Sequence, residues 1–83
     1  MNHDPDHIEL LAQLDHLRSL AEKAYRDMYE AGSPSAAAAC YGGARDCFCD
    51  AIGLADRLGL PGEATAMRQR LDHIESVFRS QFG

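Results

Sequence analysis

The chain has 83 residues, enough for one domain and too few for two. With 46% hydrophobic residues, 25% charged ones and three prolines, it is neither a disordered tail nor a collagen-like or disulfide-stapled secreted scaffold. Thirteen acids against eight bases leave a net charge of −5, the reverse of what phosphate contacts require, so nucleic acid is not expected as a ligand.

The first element is expected from about residue 5 to residue 31. Asp4 is placed to cap it and Pro5 to occupy its first position, with Asp6 and Glu9 near the positive end of the helix dipole. Leu10, Leu14, Leu17, Ala21, Ala24 and Met28 recur at alternating spacings of four and three, a helical stripe. Gly32 is read as the C-cap, Ser33 as the next N-cap and Pro34 as the opening residue of a second helix over 34–58. Its stripe runs Ala37, Tyr41, Ala44, Phe48, Ala51, Ala55, Leu58, widened by Cys40, Cys47 and Leu54, as a middle helix with two neighbours requires. Gly59-Leu60-Pro61-Gly62 reads as a turn, and a third helix is expected over 63–82 with Ala64, Met67, Leu71, Ile74 and Phe78 inward. Its outer face pairs Arg68 with Asp72 and Glu75 with Arg79 at four-residue spacing.

Short connections make sequential helices antiparallel. The expected architecture is therefore all-α: an up-down-up three-helix bundle forming a single domain over 1–83, with residues 1–4 disordered. Folding about the two turns sets Leu17 and Ile74 on either side of Phe48, and Ala44 against Phe78. It also lays helix 3 parallel to helix 1 at an offset of 57 residues, the separation at which Gln13–Leu20 echoes Arg70–Val77.

Ala44, Phe48 and Ala51 follow a small-x3-aromatic-x2-small spacing, Leu58–Ala64 forms a turn, and Ala66, Met67, Leu71 and Ile74 open another helix. Over about residues 44–74 this resembles a tetratricopeptide-type helix-turn-helix. Asp72 stands where that family has a glycine, and the family's tryptophan and leucine-glycine signature is missing. The resemblance implies a helical hairpin and a protein–protein interaction role, and assigns no binding residues.

Chemistry-bearing residues are few. Asp15-His16 and Asp72-His73 flank inward positions and are read as solvated. His3, with the amino terminus and two amides, has the donor set of a square-planar Cu(II) or Ni(II) site, read as incidental, so no metal or other cofactor is expected. Cys47 and Cys49 lie about 200° apart on a helix, and Cys40 and Cys47 about 10 Å apart along it, so neither pair chelates one ion. Cys40 and Cys47 are read as core residues, and Cys49 as the possible reactive thiol. Gly42-Gly43 reads as a kink, a close crossing against Ala21 and Ala24, or a groove for a partner's side chain. Catalytic residues are not expected, since no triad or phosphate loop is present.

Three cysteines, an odd number, suit a reducing compartment, and the segment from Met1 to Pro5 lacks the basic and apolar parts of a signal peptide, so a cytoplasmic protein is expected. No run approaches the roughly 18 apolar residues of a membrane span. The expected function is a small, non-catalytic interaction or adaptor module that forms a homodimer and binds a further, unidentified protein. Leu11, Leu20, Tyr29, Val77 and Phe82 lie beside or outside the seam and are its candidate interaction residues. The alternatives are a metal- or thiol-responsive regulatory protein and an accessory subunit of an enzyme or secretion complex.

Overall fold

The computed structural model describes residues 5–82 as three helices: α1 (Pro5–Tyr29), α2 (Pro34–Arg57) and α3 (Pro61–Phe82). The bundle is up-down-up, as the periodicity predicts, and α2 is its spine. α1 and α3 both pack on α2 and hardly on each other. The expected cap at Asp4, the disorder of residues 1–4 and the His3 site lie outside the described residues.

The connections explain the helix ends. Ser33 caps α2 with extended backbone, its hydroxyl accepting from the Ala36 N–H at 3.1 Å, and Pro34 fills the position where no donor is needed. α2 closes on Leu58. Gly59 follows at φ 72°, the Gly59 N–H donates to the Asp56 carbonyl, and the Leu60 N–H to that of Ala55. This is a Schellman closure, and its left-handed residue favours glycine.

Both outer boundaries differ from the sequence reading. α1 stops at Tyr29, two residues early, with the Ala31 N–H donating to the Met28 carbonyl. Gly32 lacks the positive φ of a C-cap glycine, so the helix ends without it. α3 starts at Pro61 rather than Glu63. The Leu60 carbonyl already accepts from the Ala64 N–H, so Pro61 and Gly62 belong to the first turn instead of the loop.

The core gathers Leu14, Ala21, Tyr25 and Met28 from α1, the α2 stripe around Phe48, and Ala64, Met67 and Ile74 from α3. Phe48, Met28 and Ile74 are the largest side chains fully withdrawn from water. Tyr25, outside the expected stripe, is buried with them. Leu10, Leu17, Leu71 and Phe78 are only half-buried on its margin. Phe78 stacks on Tyr41 with ring centroids 4.6 Å apart, nearly parallel. The Gly42-Gly43 pair leaves α2 continuous. A Cβ built on Gly43 would sit 4.0 Å from that of Ala24 and one on Gly42 would meet nothing within 4 Å, so α1 does not make the close crossing expected at this pair.

Candidate functional site

The features with chemical character collect where α1 and α3 face each other across α2. On α1, Arg18, Glu22 and Tyr25 follow at spacings of four and three, which align them on one edge of the helix beside the buried stripe. On α3, Glu63, Arg70 and His73 are spaced by seven and three and occupy the matching edge. Arg18 donates to Glu63 at 3.1 Å. Arg70 grips Glu22 in a fork, Nε to one carboxylate oxygen at 2.9 Å and Nη2 to the other at 2.8 Å. The same guanidinium lies 4.8 Å from the centre of the Tyr25 ring, and the His73 ring meets that tyrosine edge-on.

These contacts correct the expected register. The pairs run in step along the two chains, so α1 and α3 are parallel, but their offsets are 45 and 48 residues rather than 57. The echoed segments therefore do not sit beside one another. The contacts across this seam are made by long charged side chains, which reach between helices that both rest on α2. A similar choice appears on the outer face of α3. Arg79 pairs with Glu75 as expected, whereas Arg68 turns from Asp72 to Asp56 of α2, at 2.9 Å.

Electrostatics follow from the fork. The hydrogen bond from Arg70 is the main reason the Glu22 carboxyl lies below its ordinary value; the charges of Arg70, Arg18 and Arg26 add to it, while burial opposes it. The same hydrogen bond raises Arg70 further, and burial pushes the Tyr25 phenol up. Each seam ion pair leaves its side chains 40–47% exposed, so each contributes only about 0.2–1 kcal/mol. The seam closes over a cleft of about 490 Å³, floored by Phe48 and Met67 and walled by both signs of charge.

Elsewhere the expected candidates separate. Leu11, Leu20 and Tyr29 are exposed, and Ile8, which sequence reasoning passed over, is more exposed than any of them at 55%. Val77 and Phe82 are half-buried against the core, Phe82 beside the ring of Phe78. Cys49 is exposed on a shallow depression shared with Leu10, Leu17 and Gly53, while Cys40 and Cys47 are half-buried. Asp15, His16, Asp72 and His73 are all exposed, His73 with its ring edge against Tyr25. Among the described residues, no three His, Cys, Asp or Glu side chains converge as metal ligands would, and no helix is long and apolar enough to cross a membrane.

The Glu22–Arg70 fork was missed because the period locates the buried stripe, not the charges on its edges. Its one sequence signal is opposite charge on the flanking edges of two helices, Arg18 and Glu22 against Glu63 and Arg70. No protein-family model matches the chain, and neither the curated proteins nor the solved structures contain a match.

Proposed function

We propose that this protein is a small helical interaction module of the cytoplasm, an adaptor that works by self-association and by binding another protein, not by catalysis. One observation carries the reading: among the described residues, the four large hydrophobic side chains left exposed, Ile8, Leu11, Leu20 and Tyr29, lie on α1. A single helix that packs one face on its neighbour and displays apolar residues elsewhere has the character of a binding element. The tetratricopeptide-like hairpin over 44–74 adds to the same reading, and three unpaired cysteines suit a reducing compartment.

Small size supplies the physical motive. A chain of this length buries only about 60–65% of its unfolded surface, so covering α1 adds burial that the monomer lacks. A two-fold dimer is the simplest closed assembly for one exposed helix. Sedimentation equilibrium across micromolar concentrations tests it, with an average mass rising from 9.1 kDa towards twice that value. One species at 9.1 kDa throughout removes the self-association.

A further inference from the structure

The exposed edge of α1 that borders the seam carries, in order, Leu11, Asp15, Arg18, Glu22, Arg26 and Tyr29. At about 100° per residue these six fall within an arc of roughly 80°, so they form one stripe along the helix. Its sequence of character is apolar, acid, base, acid, base, apolar. Reversed end to end about the level of residue 20, the stripe maps each acid onto a base and each apolar end onto the other. Leu11 and Tyr29 lie nine residues either side of that level, Arg18 and Glu22 two residues either side, and Asp15 and Arg26 five and six.

A surface that becomes its own complement on reversal is what a two-fold axis requires. We infer that α1 docks antiparallel on α1 of a second copy of this chain, with the axis passing between Arg18 and Glu22. This inference rests on the self-association proposed above and specifies its register. Leu11 then meets the second copy's Tyr29, Asp15 its Arg26, and Arg18 its Glu22, each contact occurring twice.

Two further observations favour a second copy as the occupant. Asp15 and Arg26 line the cleft yet form no ion pair among the described residues, so the outer charges of the stripe lack partners that the reversed helix provides. The inner charges are engaged with α3 but not saturated. Arg18 uses one guanidinium nitrogen for Glu63, and the two Glu22 oxygens accept one bond each, although a carboxylate has about four acceptor sites. The contact spans about 27 Å between Leu11 and Tyr29 at 1.5 Å per residue. One helix pairing of that length sits at the small end of specific interfaces, so the association is tested at micromolar concentrations and above.

The test separates register from association. Chains carrying Leu11→Cys and Tyr29→Cys are mixed, oxidised mildly and mapped by peptide mass spectrometry. Links between positions 11 and 29 are expected, and links from 11 to 11 or 29 to 29 are not. In parallel, Asp15→Arg and Arg26→Asp are each expected to raise the dimer dissociation constant about tenfold or more, a loss on the scale of two ion pairs turned to repulsion. The chain carrying both substitutions regains the wild-type constant. All four positions are exposed, and circular dichroism checks that each variant keeps its helix content. A chain that self-associates yet links like to like, or is indifferent to the charge reversals, leaves the interaction reading standing and overturns this register. A chain that stays monomeric overturns the self-association and this register with it.

Discussion

Replacing the glycines inside α2 by alanine should stabilise the protein, and the size of the gain follows from what surrounds each one. Gly42, Gly43 and Gly53 all lie within the continuous helix Pro34–Arg57. A Cβ at Gly42 or Gly53 meets nothing within 4 Å, and one at Gly43 meets only the Ala24 Cβ at 4.0 Å, an ordinary van der Waals distance. None of the three has a positive φ. The native structure therefore does not use their conformational freedom, while the unfolded chain retains it. Each Gly→Ala exchange in a helix interior is worth about 0.8–1 kcal/mol, so the triple variant gains about 2–3 kcal/mol. For a domain this small, about 4–8 °C of Tm accompanies each kcal/mol, which makes the expected rise about 10–20 °C. Thermal melts followed by circular dichroism measure it, with the single variants apportioning the effect. A lower Tm for Gly43→Ala means that α1 and α2 approach more closely than 4.0 Å between these Cβ positions. No change at Gly42 and Gly53 means that α2 is not continuous in solution. Either result refutes the reasoning.

Phe48→Ala is expected to cost about 3–5 kcal/mol, because Phe48 is only 2% exposed, a fully buried side chain that also floors the cleft. A domain of this length has roughly 4–12 kcal/mol in all, so urea titration is best done with the alanine-stabilised α2, and a loss under about 1 kcal/mol contradicts the packing. Glu22→Gln probes the seam through pH. The folded carboxyl lies below its ordinary value of 4.5, so its stabilisation is fully present above that value and is lost as pH falls through the lower folded value. The variant should be less stable at pH 7 by about 1 kcal/mol or less, given the exposure of the pair. The gap should narrow towards pH 3. A gap independent of pH assigns the loss to something other than the Arg70 fork.

The sequence determines the helices strongly because each is amphipathic with its own punctuation. The stripes of Leu14, Ala21 and Met28, of Ala44, Phe48 and Ala51, and of Ala64, Met67 and Ile74 are buried as their spacing predicts. Boundaries were less legible where one signal has two uses. Pro61 marks a turn and opens a helix equally well, and the structure uses it for the second. Tyr25 escaped notice because it adjoins the stripe, and its burial depends on α3 supplying Arg70 and His73 to cover it. The α1–α3 register was illegible for a deeper reason. Hydrophobic period fixes which face of a helix turns inward but not how far two helices slide when both rest on a third, and the echo at 57 residues carried no energetic term to set that slide.

The alanines of α2 connect the packing to the exposed surface. Ala37, Ala44, Ala51 and Ala55 are wholly buried, and α2 carries a neighbouring helix on each of two sides. An alanine removes little apolar area from water, however, so burial on α2 depends mainly on Phe48, with Leu54 beside it. The outer helices must supply the remaining large side chains, chiefly Met28 and Ile74. Their mutual seam receives charges instead, and charged pairs this exposed contribute little. α1 therefore packs firmly only along the face it turns to α2, with Leu11 and Tyr29 left in water on the edge that borders the seam. A second copy of α1 across that edge would bury them and give Asp15 and Arg26 partners. The same helix would then serve both folding and association, so a substitution that frays α1 should weaken both together, whereas a charge reversal at Asp15 or Arg26 should weaken association alone.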